Sequence, residues 1–111
     1  MAIARFPVVV LDCPDPQVLA TFYGALLDWP VQQNDDDWWS IRAEYGDSIM
    51  FQRVAGYTAP QWPGQEHPQQ MHLDVDVDDS TRGRRRCSRS GPASTSTSRA
   101  PTFRVFLDPA G

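Results

Sequence analysis

The sequence predicts an α+β fold in which one helix packs on a β-sheet. Three observations support this class: an apolar, β-branched segment at Phe6–Cys13, a helical stripe directly after it, and short strand-like segments separated by turns. The segment Phe6–Cys13 predicts a largely buried strand. The length of 111 residues suits one domain, residues 1–111.

The predicted helix begins at Asp15-Pro16, an N-cap residue followed by proline at the first helical position. The helix must end before Pro30, because the residue that precedes a proline disfavours helical backbone. One apolar stripe at helical spacing follows the cap and consists of Val18, Leu19, Phe22, Tyr23, Leu26 and Leu27.

Three strands are predicted after the helix, at Val31–Asn34, Trp38–Ala43 and Ile49–Val54. Turns at Asp35–Asp37 and Gly46-Asp47 separate them. The first module is therefore β-α-β-β-β over residues 5–54. Residues 55–68, rich in proline and glycine, predict a linker loop.

A second, incomplete module is predicted over residues 69–111. Gln70–Val77 alternates apolar and polar side chains, which predicts a strand with His72, Asp74 and Asp76 on one face. Another strand is predicted at Phe103–Leu107.

Charge and composition narrow the partners and the compartment. The net charge is −4; residues 1–79 carry 13 acidic side chains and three arginines, whereas residues 80–101 carry six arginines and no acid. An acidic body argues against nucleic acid as a partner.

The longest apolar run is too short to cross a bilayer, and the N-terminus lacks a secretory pattern. Cys13 and Cys87, without CxxC spacing, indicate two thiols in a reducing compartment, so we expect a cytoplasmic protein with no membrane partner.

Four segments together resemble the glyoxalase / bleomycin-resistance / extradiol-dioxygenase (vicinal oxygen chelate) superfamily. They are VVLDCPDPQVLATFYGALLDW, FQRVAGYTAPQWPG, PQQMHLDVDVDD and FRVFLDPAG, and the likeness covers residues 5–79 and 102–111. The resemblance implies paired β-α-β-β-β modules that form an open, curved-sheet cleft for a small molecule. It also implies a homodimer.

The stretch Ser80–Pro101 departs from that resemblance. It contains no Leu, Ile, Val, Met, Phe, Tyr or Trp, although relatives have an amphipathic helix there. With GC-rich codons, a frame shifted by one base can spell LDAGEAAVLALG, an amphipathic helix with a glycine stop, so we expect an out-of-frame segment at 80–101. The alternatives are a genuine disordered Ser/Arg insert and, more remotely, a nucleic-acid-binding arm. Relatives continue beyond DPAG into a last strand, so a truncated C-terminus is also expected.

The resemblance implies a metal site that this chain supplies only in part. Three ligands with open positions suit oxygen chemistry. The first-strand ligand position falls on Val8, which cannot bind metal, and His72 matches the histidine of the second module. Gln52 stands near the position where glyoxalases use a carboxylate or amide. We therefore expect no resident cofactor, and keep a divalent metal at His72 as the alternative; a lone strand histidine is more often a hydrogen-bonded wall residue.

Side chains that share the cleft face are candidates for ligand binding. Asp74 and Asp76 accompany His72, and Asp12 lies on the first strand; the ordinary interpretation of such a pattern is a solvated sheet face. Trp39 and Trp62 are the aromatic candidates for the lining, where rings and neighbouring acids attract flat or cationic molecules. Trp38 and Tyr57 belong to the same set of large aromatic residues, and core or loop packing is an interpretation at least as good for Trp38 and Trp62.

Two functions of different classes follow. The first is a small-molecule-binding protein of the bleomycin-resistance type without a complete metal site. The alternative is a metal-dependent lyase or dioxygenase of the glyoxalase type. A third reading is the inactive product of a frame-shifted gene. No Ser-His-Asp, Cys-His, P-loop or zinc-finger spacing is present in the sequence, and the sequence leaves open whether the protein is catalytic.

Overall fold

The computed structural model of the chain describes residues 2–76 and 105–111, together with the backbone of residues 94–95. It divides into two compact units, Met1–Tyr57 and Thr58–Gly111. The elements are β1 (Val9–Cys13), α1 (Pro16–Leu27), β2 (Val31–Gln33), β3 (Trp38–Arg42), β4 (Ser48–Arg53), β5 (Ser94–Thr95) and β6 (Val105–Phe106).

The first unit has the predicted β-α-β-β-β order. Its four strands form one sheet in the order β1-β4-β3-β2. The central pair β3–β4 and the pair β2–β3 are antiparallel, whereas β1 runs parallel to β4. The predicted bounds of β2, β3 and β4 are confirmed to within one residue at each end.

The helix has the predicted cap and the predicted end. The Asp15 carboxylate accepts hydrogen bonds from the backbone N–H groups of Gln17 and Val18, at 3.1 and 3.3 Å. Pro16 then opens α1, where its missing N–H costs no helical bond. Asp28 ends the helix in the left-handed conformation, with φ 55° and ψ 43°, and Pro30 follows two residues later.

The core lies between α1 and strands β3 and β4. The Tyr23 ring of the helix stacks on Phe51 of β4 with centroids 5.8 Å apart. Gly24 allows the helix to approach the sheet closely, because a Cβ there would lie 2.6 Å from Cγ2 of Val31. Among the described residues, those of the buried apolar core are Cys13, Leu19, Ala20, Phe22, Ile41, Ala43 and Phe51.

The expectation that Phe6–Cys13 is largely buried is wrong. The strand begins only at Val9, and Phe6, Val8, Val9 and Val10 are 87%, 41%, 45% and 38% exposed. Two features explain the exposure. Among the described strands β1 lies at the edge of its sheet and α1 packs mainly on β3 and β4, whereas Val10 lies on the face opposite the helix.

The predicted strand Gln70–Val77 is also wrong over residues 70–76, which have no strand structure; Val77 lies outside the described residues. Met71, Leu73 and Val75 are 42%, 37% and 43% exposed. Alternation makes a strand only where a neighbouring strand completes the hydrogen bonds, and no strand pairs with this segment in the part of the chain that the structure describes.

The second unit contains one described ladder. β5 pairs antiparallel with β6, Ser94 with Phe106 and Thr95 with Val105. β6 confirms part of the predicted strand at 103–107, of which residues 103–104 lie outside the described residues. The frame-shift expectation for 80–101 lies outside them too, apart from the backbone at 94–95, as does Cys87. The described part of 58–111 contains no helix.

Candidate functional site

The strand register sorts the side chains of the first sheet onto two faces. Phe51 stacks on the helix, so its partners in register, Leu11 and Trp39, lie on the helix-covered face. Residues one position along each strand lie on the opposite face. We call that opposite face the open face; it is defined by Val10 and Asp12 of β1, Met50 and Gln52 of β4, and Trp38 and Ser40 of β3.

Three polar or aromatic side chains form one row on the open face. Gln52 is the Cα partner of Asp12 on one side and of Trp38 on the other. Adjacent strands lie about 4.8 Å apart, so the row is about 10 Å long from Asp12 to Trp38. Asp12 is exposed, whereas Gln52 and Trp38 are half-buried. This length matches a ligand the size of a fused aromatic ring system.

The next row along the open face is mainly apolar. Val10, Met50 and Ser40 are partners in register. The Ser40 hydroxyl is buried and accepts a hydrogen bond from the Asn34 amide at 3.2 Å. A molecule on this face would therefore meet Met50 and Val10 as an apolar floor beside the polar row.

Two sequence-predicted residues, Asp12 and Gln52, come together on the open face, but Trp39 does not join them. Trp39 lies in register with Phe51 on the helix-covered face, whereas Trp38 lies in register with Gln52 on the open face. A signal in the sequence could have found this. Trp39 alternates in phase with Ile41, a core residue, whereas Trp38 alternates in phase with Ser40 and Arg42.

Hydrogen bonds fix the turn that leads into Trp38. The Asp35 carboxylate accepts from the backbone N–H groups of Asp37 and Trp38, at 2.8 and 2.9 Å. The Trp38 carbonyl in turn accepts from the N–H groups of Asn34 and Asp35, at 2.9 and 3.2 Å. The backbone of Trp38 is thus held on both sides by local bonds.

The sequence of this chain fits a family model over nearly its whole length: the glyoxalase-like domain model matches residues 8–111. The chain belongs to the glyoxalase-like domain family. A solved structure described as a possible glyoxalase from Bacillus cereus is similar over 99% of this chain and 94% of that chain, with a TM-score of 0.69 and 11% sequence identity. At that identity the likeness concerns the fold alone. A comparison with curated protein sequences finds no match.

Membership of the glyoxalase-like family raises the question of a divalent metal, and the described residues do not fit a three-ligand site. Val8 offers no donor atom. Within residues 2–76 and 105–111, no three His, Cys, Asp or Glu side chains are grouped closely enough to hold a metal ion. Structural metal centres and catalytic ones both need at least three such ligands.

The remaining predicted residues belong to the second unit. His72 Nε2 lies 3.6 Å from Asp74 Oδ1, with the two side chains 78% and 94% exposed. Asp76 is exposed as well, and Trp62 is 37% exposed. Because residues 70–76 form no strand, the common face predicted for His72, Asp74 and Asp76 is not formed by a sheet.

A surface groove of about 440 Å³ lies where α1 and β3 end, within the first unit. Its walls include Trp29 and Tyr45, whose rings meet edge to face at 6.1 Å. Tyr45 is 75% exposed, so the groove would enclose little of a ligand. Sequence reasoning did not single it out, and it differs in position from the polar row at the other end of β3.

No helix in the described part of the chain has the length and hydropathy needed to cross a membrane.

Proposed function

We propose that this glyoxalase-like domain binds a small organic molecule with a flat, cationic part on the open face, and that it does so without a complete metal site. The observation that carries the proposal is the row Asp12–Gln52–Trp38, which joins a carboxylate, an amide and an indole across three adjacent strands of a face that the helix leaves uncovered.

Each member of the row has a separate part in binding. The Trp38 indole offers a wide apolar surface that attracts cations to its face. The Asp12 carboxylate makes no ion pair within the described residues, so its charge is available to a ligand. Gln52 lies between them with both donor and acceptor atoms. Met50 supplies apolar contact beside the row.

The proposal is tested with acriflavine, a flat aromatic cation, and fluorescein, an anion of comparable size, as fluorescent probes. Acriflavine should bind, more weakly as salt rises, because the Asp12 charge is screened. Asp12→Asn and Trp38→Leu should each weaken binding by about three- to tenfold. Trp39→Phe is the matched control and should leave the affinity unchanged.

Equal binding of both dyes, or loss of binding on Trp39→Phe but not on Trp38→Leu, would contradict the proposal. A dye that binds only in the presence of added divalent metal would favour the other function, a metal-dependent lyase or dioxygenase of the glyoxalase type.

Metal content gives a direct test of the two functions. We expect well under one transition-metal ion per chain after gentle purification, because Val8 replaces a ligand that a three-residue site needs. Elemental analysis measures this. A stoichiometric metal that is lost in His72→Ala would establish the alternative, with His72 as a ligand.

We also propose that residues 80–101 are encoded out of frame. What supports it is the absence of large apolar side chains across a stretch of 22 residues in a chain that matches its family model from residue 8 to 111. The nucleotide sequence of these codons is the test. An interrupted alternative frame would refute the idea; an uninterrupted one that spells an amphipathic helix would support it, and would make an inactive product the expected state of the present chain.

We further propose that this domain forms a homodimer, as the resemblance to the superfamily implies. We also propose that it is cytoplasmic, as the spacing of Cys13 and Cys87 indicates. Light scattering across a concentration series measures the mass in solution. A mass of 12.5 kDa at all concentrations, that of one chain, would exclude the dimer.

A further inference from the structure

Arg53 makes hydrogen bonds and an ion pair with the chain segments at the two ends of the polar row, next to Asp12 and next to Trp38. Its Nη1 donates to the Pro14 carbonyl at 2.8 Å. Its Nε lies 3.3 Å from the Asp37 carboxylate, and its backbone N–H donates to the Asp37 carbonyl at 2.8 Å. We call this set of contacts the Arg53 bridge.

The bridge joins the three strands that carry the row. Arg53 itself follows Gln52 directly, Asp37 directly precedes Trp38, and Pro14 lies two residues after Asp12. A guanidinium suits this position because its several N–H donors point in fixed directions and can serve a carboxylate and a carbonyl at once. A lysine ammonium is a point charge without that geometry.

We propose that Arg53 is a positioning residue, which holds the turn at Asp37 in a fixed relation to Pro14, orients Trp38 relative to Asp12 on the open face, and so affects which ligands the row binds. The proposal rests on the proposed function of that row. Arg53 does not contact the ligand; it acts through Asp37 on Trp38 and through Pro14 on the end of β1.

Stability alone is a poor explanation of the bridge. The Arg53 and Asp37 side chains are 44% and 64% exposed, and ion pairs at exposed positions contribute little to folding. The backbone ladder between β3 and β4 and the Val54 N–H bond to the Cys13 carbonyl, at 3.0 Å, hold the same strands without the guanidinium. What the side chain adds is a fixed relation between the turn at Asp37 and the segment at Pro14.

The test uses the full chain with Trp29, Trp39 and Trp62 replaced by Phe, so that Trp38 is its one fluorophore of this type. Two readouts are taken: quenching of Trp38 fluorescence by acrylamide, which needs no ligand, and the affinity for acriflavine. The variants are Arg53→Gln, Arg53→Lys and Asp37→Asn. The control is Arg5→Gln, which changes the net charge as Arg53→Gln does and removes an exposed arginine without an ion pair in the described residues.

Arg53→Gln should raise the quenching constant of Trp38 about twofold and weaken acriflavine about three- to tenfold, with little change in melting temperature. Asp37→Asn should produce the same change in quenching, and combining the two substitutions should add nothing further. Arg53→Lys should give a quenching constant and an acriflavine affinity between those of the wild type and of Arg53→Gln. Arg5→Gln should leave both readouts at the wild-type values. If Arg53→Gln fails to fold, Asp37→Asn carries the test.

Unchanged quenching in both Arg53→Gln and Asp37→Asn would overturn the positioning role, whatever acriflavine does. A change in quenching without any acriflavine binding by the wild-type chain would support the positioning role and refute the proposed ligand class. A fall in affinity with unchanged quenching would also overturn it, because Arg53 would then act on the ligand by charge and not through Trp38.

Discussion

Two regions of this chain have sequences that predict strands, and their structures differ. Residues 31–53 form β2, β3 and β4, three strands of one sheet. Residues 70–76 alternate apolar and polar side chains more regularly but form no strand, and their apolar side chains at Met71, Leu73 and Val75 are more than one-third exposed. An alternating sequence therefore predicts which side chains a strand would bury, but the strand forms only where a neighbouring strand pairs with it.

The partners of the first region are close in sequence. β2 and β3 are joined by a short turn whose hydrogen bonds come from Asp35, and β3 and β4 by a turn at Gly46. The helix that covers this sheet begins only a few residues after β1. Short connections lower the entropic cost of bringing partners together, whereas residues 70–76 have no such neighbour among the described residues.

Truncation of Ile41 and of Leu73, whose side chains are isomers, should give the largest difference in unfolding free energy between the two regions. Ile41 is fully buried in β3, whereas Leu73 is 37% exposed. Ile41→Ala should lower the free energy of unfolding by about 2–5 kcal/mol, because it leaves a cavity under the helix. Leu73→Ala should lower it by less than about 1 kcal/mol.

Urea denaturation followed by circular dichroism measures both values. Equal losses for Ile41→Ala and Leu73→Ala would mean that residues 70–76 pack as tightly as the first sheet, and the contrast between the regions would fail.

A second pair compares two glycines. A Cβ on Gly24 would lie 2.6 Å from Val31 Cγ2 and 3.0 Å from the Trp29 carbonyl, whereas one on Gly64 would meet only the Gln61 carbonyl at 3.5 Å. Gly24→Ala should destabilise the protein by about 1–3 kcal/mol, although alanine favours a helix by about 1 kcal/mol over glycine. Gly64→Ala should have almost no effect.

Thermal melts of the two variants check this, and Val31→Ala in the Gly24→Ala background should recover part of the loss by removing Cγ2. No recovery would show that the Trp29 carbonyl, and not Val31, limits the approach of the helix.

Replacing one aspartate in each region by alanine should give the smallest difference in stability. The Asp15 carboxylate caps α1 through two backbone N–H groups, whereas Asp74 is 94% exposed beside His72. Asp15→Ala should cost about 1 kcal/mol, and Asp74→Ala close to nothing. Chemical denaturation of both variants at one pH measures the difference; a larger loss for Asp74→Ala would reveal a structural role that its exposure does not suggest.

Most of the first unit was predictable because its signals are local. Asp15-Pro16 marks the start of the helix and Pro30 limits its end, and the turns at Asp35–Asp37 and Gly46-Asp47 separate the strands to within one residue of their observed bounds. Of the candidate site residues, the register places Asp12 and Gln52 on one face of the sheet and Trp39 on the other; their binding role stays a prediction.

Caps, turns and periodicity act over a few neighbouring residues, so local sequence predicts the order of elements in residues 9–53 and the α+β class. The fold adds that β1 lies at the edge of the described sheet, that Trp38 lies in register with Gln52 and Asp12, and that Arg53 contacts both Pro14 and Asp37. These features depend on strand register, because pairing between strands distant in sequence sets which side chains meet, and a shift of one residue exchanges the two faces.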